Sequence, residues 1–491
     1  MARTRTSKTS FDSLNPVTGE VIDTFPIATE KDVYTAVTVA HDAAHRWNSL
    51  GFRGRKKVLL AYSELLMENI EELGLLVSNE TGKPLSDAQL EITLAAHHVA
   101  WAARNAEDVL RTSHRRAGAL MANMSARVEH VPVGVVGVIG PWNYPVFTPM
   151  GSIAYALAAG NPVVFKPSEY TPAVGVALAE YFVHASGFSD IFQVVTGLGA
   201  TGAALCSSGV NTLAFTGSTA TAKKVAALCA ETLTPVILEC GGKDPVIVAR
   251  DADISAAVDA TLWSAMANAG QSCIGAERVY VEEAIADLFT EKVLHRASMI
   301  HAGENYGPAT MPSQLKIIAS HIEAAQSDGG VAALGGDFSV SGGYVQPVIL
   351  LDVPEDSDAM VDETFGPTLI INRVNSIDEA IALSNASRYG LGASVWSRKQ
   401  GHQIASRLQC GMVAINSAFT FAAVASIPFG GVKDSGYGRI HGPEGLTSFT
   451  YPRSIVRARF QLPLAIVSFK RTERTDRLVR RIGKLLKGRL S

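Results

Sequence analysis

From about residue 133 onward, short β-branched runs alternate with Ala-rich stretches of helical periodicity, and this rhythm restricts the fold more than any other feature of the chain. The runs at 133–139, 162–165, 191–195, 212–215, 236–238 and 245–248 are strand-length. Strands separated by helices pair in parallel, so the pattern predicts a doubly wound α/β sheet. A second cycle follows, with helices at 254–269 and 377–385 and strands at 278–281, 348–351, 368–374, 393–396 and 411–415. Two sheets in succession imply two domains that form a cleft between them. Ahead of both, 31–47, 56–80 and 86–110 read as long amphipathic helices.

Composition narrows the function. The 491 residues are 47% hydrophobic and 18% charged, as in a soluble globular enzyme. The net charge of −3 offers no broad cationic surface for nucleic acid. That average conceals an asymmetry. Residues 470–491 hold nine Lys/Arg and two Asp/Glu, a local +7 that leaves −10 on the remainder. The five cysteines are widely spaced and form no CxxC pair, so neither a disulfide framework nor a metal site is expected, and a reducing, cytoplasmic setting is. The basic first residues precede no apolar stretch and do not read as a secretory signal. The apolar runs are too short to span a bilayer.

Two patterns invite over-reading. Gly197-Leu-Gly-Ala-Thr-Gly202 follows a strand and fits the dinucleotide fingerprint, but no acid occurs between Gly202 and Ala230 to hold a ribose, so a plain strand-to-helix turn is expected. His41 and His45 share a helix face like a zinc pair, yet Asp42 replaces the required Glu; a surface helix is expected there.

Cys273, in Gly270-Gln-Ser-Cys273, lies between a small-residue helix and a strand, where a thiol can be exposed at a turn. Taken alone it reads equally well as a small buried hydrophobe. Its company shifts the reading. Glu239 is a charge at a strand end against Gly241 and Gly242, and Asn143 is an amide fixed between Pro141 and Pro145. A nucleophile, a base and a hydrogen-bond donor are the parts that acyl chemistry at a thiol requires.

With these residues the chain resembles the aldehyde dehydrogenase superfamily from about Phe11 to about Phe460. Seven motifs occur in order: Pro141-Trp-Asn-Tyr-Pro145, Gly160-Asn-Pro-Val-Val-Phe-Lys-Pro-Ser-Glu169, Phe215-Thr-Gly-Ser-Thr219, Leu238-Glu-Cys-Gly-Gly-Lys243, Gly270-Gln-Ser-Cys273, Glu363-Thr-Phe-Gly-Pro367 and Pro428-Phe-Gly-Gly431. The 34-residue interval from Glu239 to Cys273 also matches the family. The resemblance implies an α/β fold of two Rossmann-like domains with a small β oligomerisation arm. It places an NAD-binding domain at 1–113 and 133–239, a catalytic domain at 240–435, and the arm at 114–132 and 447–460. It implies Cys273 as nucleophile, Glu239 as general base for thioester hydrolysis, and Asn143 with the Cys273 backbone as oxyanion donors. Trp142, Lys166, Glu169, Gly217, Ser218, Glu363 and Phe365 would hold the cofactor. A carboxylate at Glu169 favours NAD over NADP, because it would repel a 2′-phosphate. Relatives that pass the acyl group to coenzyme A generally lack the Glu. There are two departures: Ala222 stands where the family has a second glycine, and Cys240 replaces a common Leu.

The helix expected after the tryptophan motif holds no Arg or Lys, and 417–427 is uncharged. An apolar aliphatic or aromatic aldehyde therefore fits the expected tunnel better than a semialdehyde carrying a carboxylate. A succinate-semialdehyde or coenzyme A acylating enzyme, and a catalytically silent relative, stay open as alternatives. The resemblance also implies a homodimer or homotetramer. Leu478, Val479, Ile482, Leu485 and Leu486 fall on one helical face of 470–491 with Arg and Lys around it, a pattern that suits either a subunit contact or the surface of an anionic membrane.

Overall fold

The computed structural model describes residues 9–118, 121–461 and 468–486. The chain divides into two compact units, Met1–Val109 with Pro132–Thr450, and Leu110–Val131 with Tyr451–Ser491.

Strands β1 (Ser10–Leu14) and β2 (Val21–Pro26) form an antiparallel hairpin. Four helices follow: α1 (Glu30–Ser49), α2 (Gly51–Glu68), α3 (Ile70–Thr81) and α4 (Leu85–Leu110). A capping box starts α1, where Thr29 Oγ1 accepts from Asp32 N and the Asp32 carboxylate accepts from Thr29 N. Val33, Val37, Ala40, Ala43 and Trp47 then bury one stripe of the helix. The single helix expected over 56–80 is two. Asn69 breaks it at φ −103° and ψ 22°, and its side-chain amide donates to Leu65 O at 2.8 Å. Asn competes with the helical backbone in this way, which periodicity of apolar residues does not register. His41 and His45 are both exposed on α1.

The chain contributes β3 (Ser113–Arg115) and β4 (Met124–Pro132) to the second unit before β5 (Val136–Ile139) opens the main sheet. The strand expected at 133–139 starts late because Gly134 takes φ 124° and donates its N–H to Asn161 Oδ1 at 3.0 Å. Strands β6 (Val163–Lys166), β7 (Phe192–Val194), β8 (Thr212–Thr216) and β9 (Val236–Glu239) join β5 in parallel, in the order β9-β8-β5-β6-β7. The chain winds outward through α5 (Phe147–Ala159) and α6 (Pro172–Ser186). It then returns through α7 (Gly199–Ser207) to the other side of β5, and α8 (Thr219–Ala230) leads into β9. Loops leaving β5 and β8 thus diverge, and the crevice at their carboxyl ends is where such sheets bind ligands.

The second sheet comprises β10 (Asp244–Val248), β11 (Ala276–Glu282), β12 (Val331–Leu334), β15 (Val348–Leu351), β16 (Thr368–Val374), β17 (Gly392–Trp396) and β18 (Met412–Ile415). A small hairpin, β13 (Val340–Ser341) and β14 (Tyr344–Val345), lies within the connection from β12 to β15. All pairings in this sheet are parallel except that of the edge strand β12 with β15. Every residue of β10 and β11 is buried, as expected for central strands covered on both faces. Helix α9 (Ile254–Met266) connects β10 to β11, and β19 (Gly436–Tyr437) pairs back antiparallel to β9. The fold is therefore the expected α/β one with two Rossmann-like sheets. In the smaller unit β20 (Thr450–Ala458), β4 and β3 form a three-stranded sheet, and a helix spans Glu473–Leu486.

Candidate active site

The loop leaving β5 carries Trp142 and Asn143, and its hold on the rest of the chain comes from α4. Glu91 accepts from Val146 N at 2.8 Å and Phe147 N at 3.1 Å, supplying the cap that α5 otherwise lacks. Lys83 pairs with Glu91 at 2.6 Å, both side chains almost wholly buried, and also donates to Asn143 O at 2.8 Å. The Asn143 side-chain amide donates across the crevice to Gln271 O at 2.9 Å. Lys83 and Glu91 were not singled out in the sequence, because Lys83 alone reads as a charge in a turn and Glu91 as a helix-surface charge.

Two residues beyond Gln271 lies Cys273, on a turn of uncommon backbone. Asn268, Ala269 and Gly270 take φ of 54°, 56° and 69° in succession. Left-handed residues usually occur singly, and each costs a non-glycine residue on the order of 1–3 kcal/mol. Here the surroundings enforce them. Asn268 Nδ2 donates to Asn143 O at 3.0 Å and to Gln271 O at 3.2 Å, and Gln271 Nε2 returns a bond to Asn268 O at 2.9 Å. A side chain on Gly270 would collide with the Gly366 backbone. Asn268 and Gln271 were also missed; the signal available was an Asn, tolerant of this conformation, next to Gly at the end of an Ala-rich helix.

Glu239 ends β9 and is 3% exposed. Among the described residues neither of its carboxylate oxygens has a hydrogen-bond partner. Burial holds its pKa well above the ordinary value, against the opposing charge of Arg439. Past it, Gly241 and Gly242 carry the chain beneath the thiol loop. A Cβ on Gly242 would lie 2.7 Å from Cys273 O and 2.5 Å from Asp244 Oδ1. The half-buried Cys273 thiol is pushed up by burial first, then by the carboxyl groups of Glu363, Asp244 and Glu239. Cys240 is 4% exposed and belongs to the core of the first sheet.

A cleft of about 620 Å³ gathers Asn143, Trp142, Gly217, Ser218, Glu239, Cys273, Glu363 and Phe365 along one wall system. The N-terminus of α8 opens into it. Ser218 caps that helix by accepting from Thr221 N at 3.3 Å, and no acid occupies the first turn, so the helix end suits a phosphate. Ala222, the departure from the family's glycine, is 2% exposed and packs in the core. Glu363 accepts from Gly242 N at 3.1 Å and lies over Gly241, where a side chain would collide with it. Burial, then Glu277, raises its pKa well above the ordinary value. Phe365, at φ 53°, meets Trp142 edge-on at 5.6 Å. Its strained turn is fixed from below: Thr364 N and Phe365 N each donate to Glu277 at 2.9 Å, and Glu277 is ion-paired with buried Lys243. Lys243 and Glu277 were not recognised as supports in the sequence. Lys166, the last residue of β6, and Glu169, just beyond it, are not among the residues that line this cleft. Lys166 is buried and donates to Pro167 O at 2.8 Å, and Glu169, 42% exposed, lies 3.8 Å from its ammonium. Within the cleft, a helix N-terminus free of acids, two aromatic rings and the Glu363 carboxylate form a donor and acceptor set that fits a nucleotide.

On the other side of Cys273 a second cavity of about 290 Å³ is lined by Leu90, Leu94, Tyr144, Phe147, Trp263 and Phe419. It is apolar as expected, but not uncharged: α4 adds Asp87 and Glu91, and the turn before it adds Lys83. The expectation considered α5 and the 417–427 loop and left α4 out, because an amphipathic helix does not disclose which of its charges face inward. Burial raises the Asp87 pKa, partly offset by Lys83. Cys273 and Thr148 are common to the cleft and this tunnel.

Comparison with known proteins agrees with this geometry. The pattern of the aldehyde dehydrogenase family matches residues 3–455. A Mycolicibacterium smegmatis protein, named provisionally as an NADP(+)-dependent succinate-semialdehyde dehydrogenase, is 35% identical over 90% of this chain and 87% of its own. The 4,4′-diapolycopene aldehyde oxidase of a Methylomonas species is 35% identical over 93% of this chain and 87% of its own. The crystal structure of an NAD-dependent aldehyde dehydrogenase from Sinorhizobium meliloti superposes with a TM-score of 0.88 at 32% identity, covering 93% of each chain. A match that runs through both sheets and every loop of the cleft makes this chain a member of the aldehyde dehydrogenase family, which oxidises aldehydes with a nicotinamide cofactor.

Proposed function

We propose that the chain oxidises an apolar aliphatic or aromatic aldehyde to the free carboxylate with NAD, through a thioester on Cys273. The observation that carries this reading is the position of Cys273, which with Thr148 lines both the phosphate-compatible cleft and the apolar tunnel. The thiol, once deprotonated, adds to the aldehyde carbon, and the Asn143 amide and Cys273 N–H stabilise the resulting oxyanion. Loss of one such donor typically costs about 10²–10³ in rate. A nicotinamide cofactor held in the cleft would supply the hydride acceptor for this step. Glu239 then takes a proton from water, which attacks the thioester and releases the acid; a buried carboxylate holds a proton more strongly than an exposed one, which suits a general base.

The choice of NAD rests on Glu169, whose exposed carboxylate disfavours a 2′-phosphate. The choice of substrate rests on the tunnel. Lys83 is paired with Glu91, and Asp87 adds a second acid against that one cation, so a second carboxylate on the substrate meets a lining in which acids outnumber the base. The names of the relatives point to different substrates, and the lining of this tunnel favours the apolar one. We assign the cofactor domain to 1–113 and 133–239 and the catalytic domain to 240–435. The three-stranded unit, with Tyr451, Val456 and Phe460 exposed, is the proposed oligomerisation arm of a homodimer or homotetramer. Five free cysteines accord with a cytoplasmic setting.

The test is a panel of aliphatic, aromatic and acidic aldehydes followed by NADH absorbance, with two variants. Medium-chain and aromatic aldehydes should exceed succinate semialdehyde in kcat/KM. Cys273→Ala should lose turnover and keep NAD binding, and Glu239→Gln should accumulate an acyl adduct visible in the intact mass. Turnover by Cys273→Ala, or a clear preference for the acidic aldehyde, would overturn the corresponding part of the reading.

A further inference from the structure

The helix Glu473–Leu486 takes no part in the cleft or the tunnel, and its two faces differ in chemistry. Arg474, Arg477, Arg480, Arg481 and Lys484 are all exposed. On the opposite face Leu478 is exposed and Val479 and Ile482 are half-buried, and Phe469, four residues ahead of the helix, is fully exposed. One of the two acids of the segment, Asp476, is taken up by Arg471 at 2.6 Å. The basic side chains have no such partner among the described residues.

An apolar face rimmed by cations needs a partner that is apolar inside and anionic at its surface. Nucleic acid would satisfy the rim and leave the apolar face in water. Bulk solvent hydrates the cations but likewise leaves the apolar face in water. An anionic phospholipid bilayer satisfies both, with the apolar side chains at the acyl boundary and the Arg and Lys among the headgroups. No described helix is long and apolar enough to cross a membrane, so the contact would be peripheral. We propose that Glu473–Leu486 docks this chain on anionic phospholipid surfaces. The charge balance favours the tail as the contacting segment: 470–491 carries +7 and the rest of the chain −10. Bulky aldehydes that partition into lipid would then be delivered where the enzyme sits.

The full chain should sediment with vesicles of mixed phosphatidylglycerol and phosphatidylcholine at low salt, and not with phosphatidylcholine alone. At 1 M salt, where the Debye length is about 3 Å, the bound fraction should collapse. The triple variant Arg477→Glu, Arg480→Glu, Arg481→Glu should lose binding about tenfold or more while oxidising a short soluble aldehyde like the wild type. Ile482→Asp should also lose it, although it leaves the cations in place; this separates a lipid contact from simple counter-ion attraction. Failure of the wild type to bind anionic vesicles overturns the proposal. So does binding that survives both variants, or a change in native mass in either variant, which would assign the helix to a contact between copies of the chain.

Discussion

A carboxyl group that is buried without a partner keeps its proton to a higher pH in the folded chain than in the unfolded one, and Glu239 is such a group. Above the ordinary value of 4.5 the unfolded chain releases this proton and the folded chain does not. The folded state therefore binds more protons, and its stability falls as pH rises toward the elevated pKa, by up to about 1.4 kcal/mol per pH unit. Glu239→Gln removes that slope. Its melting temperature should match or exceed that of the wild type, with a gap that widens from pH 5 to pH 8. Parallel melting curves across that range would mean that Glu239 ionises as an exposed acid does. Glu169 makes a different prediction, because it is half-exposed and paired with Lys166. Glu169→Ala should raise kcat/KM with NADP relative to NAD by roughly tenfold, about 1.4 kcal/mol of discrimination. An unchanged ratio would place the source of cofactor choice elsewhere.

At the scale of elements, the strands were legible because β-branched runs leave few alternatives, and the helices because apolar residues recur at helical spacing. The loops that bear Asn143, Gly217, Glu239 and Cys273 could be placed at strand and helix ends for the same reason. What stayed hidden was pairing over long separations. Lys83 and Glu91 look like surface charges in the sequence, yet they close on each other, on the entry to α5 and on Asn143 O. Asp87 lines the tunnel from a helix that reads only as scaffold. Lys243 and Glu277 meet beneath the Phe365 turn from the ends of two neighbouring strands. Buried ion pairs of this kind show little net benefit when replaced whole, but removing one partner strands the other. Lys83→Met should therefore cost roughly 3–5 kcal/mol of stability by denaturant titration, and adding Glu91→Leu should recover only part, since Val146 N and Phe147 N then lose their acceptor. A Lys83→Met variant as stable as the wild type would show that the pair carries no such role.

Within the larger unit, the carboxyl edge of the first sheet meets the turn that precedes β11, and Cys273 stands at that seam with a compartment on either side. Two small molecules that approach one sulfur from opposite compartments have no shared doorway to contest. An unreactive fatty amide sized for the tunnel should therefore compete with the aldehyde in steady-state kinetics and leave the NAD dependence of a competitive type unseen. Strict competition with NAD would mean that the compartments are one. If they are separate, traffic through one entrance can be throttled while the other stays fully occupied, and the enzyme responds to aldehyde load and to coenzyme supply as two independent dials.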